Sequence, residues 1–358
     1  MQTKLFKSLL FIILLTFTLL NLASCKKESY LFCNITFDGY LDTTNEVIIE
    51  YDKNITTNKE IYNDVHDDIE AILKRIEDEF SPQSENLKKV NINIPTFVSD
   101  EFIKVLKYSL DFSKDNPSFD VSIGALSNLW NISKQAEYCY VNDNCIKPSD
   151  EKIQETIKLV DYTKIKIDGN LVSVPDNMKL DFGAIVKGYA VDEVYNYLKD
   201  KGYSFFVINF GGSVKSYGES LTYKNKHKEF SIGIENPFNE TTSLIDIKTK
   251  DESVITSSIS KRYITVDGIK YHHILDKTTG YPVDNDIEQV TIVSSDGMLG
   301  DILSTTCILA GSDKAKELMI KYGVKGIIIT KDKKIIVVGN LNVINNNNLT
   351  IDYVEVND

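Results

Sequence analysis

Residues 181–212 read DFGAIVKGYAVDEVYNYLKDKGYSFFVINFGG. Tyr189, Ala190, Val194, Tyr197 and Leu198 recur with helical spacing, which predicts a helix ending near Gly202. Residues 205–210 are then continuously apolar, the pattern of a buried strand, and Gly211-Gly212 stops them. Upstream, Ile61, Val65, Ile69, Ile72, Ile76 and Phe80 predict a long amphipathic helix that Ser81-Pro82 terminates. A second helix follows Ser99-Asp100 and turns Phe102, Val105, Leu106 and Leu110 inward. Downstream, residues 262–266 and 269–275 flank Asp267-Gly268, a strong hairpin signal. Residues 290–293 predict another strand, 298–309 and 314–322 helices, and 326–329 with 335–338 a closing hairpin. The alternation of Val47, Ile49 and Tyr51 adds a strand near the start, whereas 131–150 and the Asn-rich 340–348 read as loops, the latter followed by a short terminal strand. Helices and strands interleave without strict alternation, which favours α+β over a doubly wound sheet.

The 358 residues are 42% apolar and 26% charged, an ordinary globular balance, and no repeat suggests a solenoid. A net charge of −12 argues against broad attraction to nucleic acid, so no nucleic-acid partner is expected. Lys4 and Lys7 precede an apolar stretch over 9–20, too short to span a bilayer comfortably but suited to a signal peptide. It closes with Leu22-Ala23-Ser24-Cys25, which resembles a bacterial lipobox. Residues 1–24 are therefore expected to be removed, leaving a lipid-modified Cys25, a tether over 25–36, a mature charge of −14 and attachment to the extracytoplasmic side of a membrane. The alternative is an ordinary cleaved signal peptide. Cys139 and Cys145 flank a polar segment and can either close a short disulfide in an oxidising compartment or remain thiols. Cys307, in an apolar helical pattern, reads as a buried small hydrophobe rather than a nucleophile.

Three constellations bear on chemistry. Asp301 and Thr305 lie four apart in a predicted helix and put two oxygen donors on one face, a pair that suits Mg²⁺ but equally describes a solvated face with a packing Thr. Gly183 and Gly188 have P-loop spacing, but Lys187 precedes the second glycine and Tyr189 replaces the metal-binding hydroxyl. That turn can still present free amides to an anion, or simply cap the helix. His272 and His273 are adjacent in a predicted strand, so only one enters a given pocket, as a proton acceptor or as packing. His66 and His227 read as solvated.

Taken in order, these segments resemble the ApbE family of flavin transferases, which move FMN from FAD onto a hydroxyl of a target protein. The matching segments are Phe80-Ser81-Pro82-Gln83 with Ser84-Glu85, and Phe119-Asp120-Val121-Ser122-Ile123-Gly124 with Asn128-Leu129-Trp130. Then come residues 180–192, Asn209-Phe210-Gly211-Gly212, residues 232–237 and Thr256-Ser257. The closing block is the most specific: Tyr271-His272-His273-Ile274-Leu275-Asp276, Thr279-Gly280-Tyr281-Pro282, and Met298-Leu299-Gly300-Asp301 with Ser304-Thr305. The resemblance spans residues 40–340 and implies one large domain over 37–358 with a T-fold-like core. It implies Mg²⁺ held by the Ala184 carbonyl, Asp301 and Thr305, and FAD, as substrate, lined by Gln83, Ser118, Phe119, Asp120, Asp181 and Ile274. His273 matches the histidine that helps activate the accepting hydroxyl. The implied acceptor is a Ser or Thr in a short motif of an extracytoplasmic redox protein, with AMP as leaving group. Two alternatives share the site: an FAD pyrophosphatase giving FMN and AMP, and a non-catalytic FAD-binding lipoprotein. The chain departs from the family pattern at Ser213, where Asp is usual, at Ser257-Ser258 in place of Ser-Gly, and at Leu41-Asp42-Thr43 in place of Met-Gly-Thr.

Overall fold

The computed structural model describes residues 29–142, 145–221, 229–239 and 242–355, without the side chains of 138–142. The signal segment, Cys25 and His227 lie outside them. Nine strands form the main sheet, and their spatial order follows the chain: Tyr30–Tyr40, Thr43–Asp52, Phe205–Phe210, Ser213–Gly218, Ser253–Ser258, Ile287–Ser294, Lys325–Thr330, Ile335–Val338 and Ile351–Val354. Neighbours are antiparallel until the last pair, where Ile335–Val338 and Ile351–Val354 run parallel. The helices Asn58–Phe80, Val186–Asp200 and Gly297–Ala310 cover one face, burying Ile69, Leu73, Val194, Leu303 and Ile308 against Ile49, Ile208 and Val290. A three-stranded sheet of Asn342–Ile344, Ser243–Thr249 and Phe230–Glu235 covers the other through Ile232, Ile245 and Ile247. The result is a mixed α/β single domain. Among the described residues no helix is long and apolar enough to cross a membrane.

Local chemistry accounts for the elements read from the sequence. Thr57 and Glu60 close a capping box on Asn58–Phe80, and Ser99 caps Asp100–Asp115. The hairpin Tyr263–Val266 and Ile269–His272 turns on Asp267 and Gly268, both at positive φ, which is what a two-residue primed turn requires.

Three segments differ from expectation. Residues 132–142 form a helix, Ile132–Asn142, inside the stretch read as loop. Its periodicity is too weak to read locally; what holds it is tertiary, with Ile132 buried beside Trp130 and the Gln135 amide bonded to both the Trp130 carbonyl and Ile146. Asn342–Ile344, within the Asn-rich stretch, adds an edge strand to Ser243–Thr249, a pairing partner nearly a hundred positions away. Residues 30–36, read as tether, belong to the first strand, where Cys33 and Ile35 are buried. Cys33 and Cys307 are free and buried, and burial pushes the Cys307 thiol well above its usual range. Cys145 is disulfide-bonded, and the Cys139 side chain lies outside the described residues.

Candidate active site

Two helices cross at glycine. A Cβ on Gly188 would stand 2.1 Å from the Gly297 carbonyl oxygen, and one on Gly297 2.5 Å from that of Gly188, so the backbones touch where no side chain fits. At this crossing the Gly188 N–H, one of the donors left without an intrahelical partner at the start of Val186–Asp200, donates to Asp301 Oδ2 at 2.9 Å. Among the described residues nothing donates to the Ala184 carbonyl, which a regular preceding turn would have paired with that N–H. Asp301 is only 2% exposed, and its other oxygen lies 3.6 Å from the Lys187 ammonium. One turn further, Thr305 is half-buried and its hydroxyl shares a hydrogen bond with Ser257 at 3.2 Å, Ser257 in turn meeting Ser304 at 2.7 Å. A buried carboxylate, a hydroxyl and an unpaired carbonyl are hard oxygen donors of the kind Mg²⁺ takes, so the donor set fits that ion.

The strand expected over 269–275 ends at His272, so His273 sits in the bend that follows it, where pairing with Tyr263–Val266 has stopped, and the two histidines have separate surroundings. His272 is buried with both ring nitrogens engaged: Nδ1 accepts from Ile274 N–H, so Nε2 carries the proton and donates to the Val283 carbonyl at 2.9 Å. His273 Nδ1 meets the Arg262 carbonyl at 3.2 Å and must donate to it, which leaves Nε2 as a lone pair on a neutral ring. Burial first, then the Arg262 cation, pushes His273 down to about 3, while burial brings His272 to about 4. The Lys187 charge that faces Asp301 also acts on His273.

The segments expected to line FAD are bonded to one another. Asp181 N–H donates to Val121 O at 2.9 Å and Gly124 N–H to Lys179 O at 3.1 Å, joining the loop of Ser118, Phe119 and Asp120 to that of Asp181. Phe182 packs edge-on against Phe80, which brings the exposed Gln83 turn alongside. Asp120, expected as a ligand-lining residue, has a fully buried side chain: Oδ1 accepts from Ser122 N–H and Oγ–H, and Oδ2 from Lys277 Nζ at 2.9 Å and Tyr162 N–H. Its carboxylate holds the loop, so any contact it makes to a nucleotide is through the backbone. Asp181 likewise spends Oδ1 on Gly183 N–H. Ile274 is buried and Ser118 half-buried. Lys187, Ser304, Lys277 and Lys215 carry roles that their local sequence does not signal. Their partnerships give no local signal, since Lys277 meets a carboxylate 157 positions away.

The sequence profile described as "ApbE family" matches residues 41–328. The chain belongs to the ApbE family. It is 31% identical to an FAD:protein FMN transferase of Klebsiella pneumoniae over 74% of this chain and 82% of that protein, and 27% identical to one of Haemophilus influenzae over 87% and 90%. The crystal structure of the ApbE protein of Thermotoga maritima superposes with a TM-score of 0.73 at 28% identity, covering 85% of this chain and 96% of that one. The resemblance read from the motifs is borne out, and with it the mixed single-domain fold and the family-level assignment to FAD:protein FMN transferases.

Proposed function

We propose that this protein transfers the FMN moiety of FAD to a Ser or Thr hydroxyl of an extracytoplasmic acceptor protein and releases AMP. The observation that carries the reading is the arrangement at the helix crossing, where diversion of the Gly188 N–H to Asp301 leaves the Ala184 carbonyl without a donor among the described residues. Ala184, Asp301 and Thr305 would hold Mg²⁺, which supplies charge neutralisation at a pyrophosphate when bound. Gln83, Ser118, Phe119, Asp120, Asp181 and Ile274 would bind and orient FAD. His273 Nε2 takes the proton of the accepting hydroxyl, whose oxygen bonds to the FMN-side phosphorus as the bond to the AMP oxygen breaks. A neutral ring is the form this step needs, and the His273 surroundings favour it. The acceptor is a redox protein carrying a short Ser/Thr motif, and lipidated Cys25 holds the enzyme at the membrane surface, on the periplasmic side or at the cell surface.

The test is incubation of the protein with FAD, Mg²⁺ and an acceptor bearing the family's Thr motif, following AMP and acceptor mass together. A gain of one FMN with stoichiometric AMP, abolished in Asp301→Ala, is expected. AMP with free FMN and no gain would make the protein a pyrophosphatase, and intact bound FAD a carrier. Metabolic labelling with palmitate, lost in Cys25→Ser, tests the anchor.

A further inference from the structure

We infer that Asp192 and Lys215 are positioning residues that set the place of Asp301, and thereby the metal affinity of the site. The inference rests on Asp301 being a metal ligand, as proposed above. Asp192 follows Gly188 by four residues on one helix, and Gly297 precedes Asp301 by four on the other, so each pair shares a face. Two rungs therefore tie the helices together one turn apart. In one, Gly188 N–H donates to Asp301 Oδ2; in the other, Gly297 N–H donates to Asp192 Oδ2 at 2.7 Å. The second rung reverses the direction of the first, with a carboxylate of Val186–Asp200 accepting from the backbone of Gly297–Ala310.

Lys215 locks the second rung from beneath. It rises from the strand Ser213–Gly218, with its side chain 5% exposed, and donates to Asp192 Oδ1 at 2.5 Å and to the Ser295 carbonyl at 2.7 Å. One ammonium thus fixes both the carboxylate that grips the helix start and the chain entering that helix. The Tyr195 ring lies 4.3 Å from the same ammonium and closes one side. Because Gly188 and Gly297 meet backbone to backbone, axial sliding of one helix on the other is opposed by contact as well as by the two rungs. Removing the Asp192 rung leaves Asp301 held at one end only. Residues that orient metal ligands in this way typically govern affinity by about 10- to 100-fold.

The test uses the full chain in detergent and Mn²⁺ as probe, its affinity read by the EPR signal of free ion, with thermal unfolding of the metal-free protein measured in parallel. Asp192→Ala and Lys215→Met are expected to weaken Mn²⁺ binding about tenfold or more. Lys215→Arg, which keeps the cation, is expected to recover most of it and carries the test should the first two fail to fold, whereas Asp192→Asn keeps an acceptor for Gly297 N–H but turns an amide N–H₂ toward the Lys215 ammonium and is expected to weaken binding as Lys215→Met does. Wild-type affinity in all four variants, with a lowered unfolding temperature alone, would overturn the inference while Asp301→Ala still abolishes binding. Binding that survives Asp301→Ala would overturn the metal reading and this inference with it.

Discussion

At the residue scale, the site depends on which polar groups are already spent. His272 gives both nitrogens to the backbone and His273 only one, which is why His273 is the one proposed as base. Both rings stay neutral in the fold well below the ordinary 6.5. Between pH 6.5 and about 4 the unfolded chain therefore binds protons that the fold refuses, so stability rises with pH through that window and is lost as pH falls. In the metal-free protein the Cε1–H resonances of both histidines are expected to stay flat from pH 7 to 5; a midpoint near 6.5 for His273 would remove its assignment as a neutral base. Lys277 is the other decisive residue, the cation within reach of the wholly buried Asp120. Lys277→Met removes the ammonium 2.9 Å from that buried carboxylate while leaving its hydrogen bonds from Ser122 and Tyr162, and is expected to cost about 3 kcal/mol in denaturant unfolding.

At the element scale, the crossing of Val186–Asp200 with Gly297–Ala310 creates the site. Neither helix brings donors together alone, since Asp301 and its partner Gly188 are 113 positions apart. Gly188→Ala would drive a methyl into the Gly297 carbonyl, a backbone atom with nowhere to turn. We expect it to destabilise the fold by about 1–3 kcal/mol and to weaken Mn²⁺ binding. An unchanged unfolding midpoint would show that the helices can separate freely. Gly300→Ala, whose methyl would meet the movable Ile255 side chain at 3.1 Å, is expected to cost less and serves as the comparison.

At the scale of the whole molecule, the sheet carries helices on one face and a small sheet on the other, and the site forms on the helical side, where distant segments converge. Trp130 adds a second tie: its indole N–H donates to the Gly280 carbonyl at 2.7 Å, joining the Ile132–Asn142 neighbourhood to the loop that follows His273. Because the candidate ligands come from segments that meet only in the native state, the Mg²⁺ binding proposed above would stabilise the whole fold. At a hundred times its dissociation constant this amounts to about 2.7 kcal/mol, and the unfolding temperature is expected to rise by several degrees. Asp301→Ala should abolish the rise, and an equal rise in that variant would place the ion elsewhere.

The sequence by itself determined what local chemistry can specify. The helix Asn58–Phe80 follows from its apolar spacing and its Ser81-Pro82 stop, and the primed hairpin from Asp267-Gly268. The order of motifs was enough to read the family, because spaced residues survive as a pattern even where each is weak alone. Ile132–Asn142 was hidden because its stability comes from Trp130 and Gln135 contacts rather than from its own periodicity. The strand Asn342–Ile344 was hidden because strand pairing pays off only once its partner is in place. Asp301 and Thr305 were legible as an ambiguous pair. Tertiary structure decided the rest, by burying Asp301 and turning the Gly188 N–H onto it, so that among the described residues nothing donates to the Ala184 carbonyl. The physical reason is that hydrogen bonding is an accounting across the whole fold: a donor's partner, and hence which acceptors remain open for chemistry, is fixed only when segments far apart in the chain come into contact.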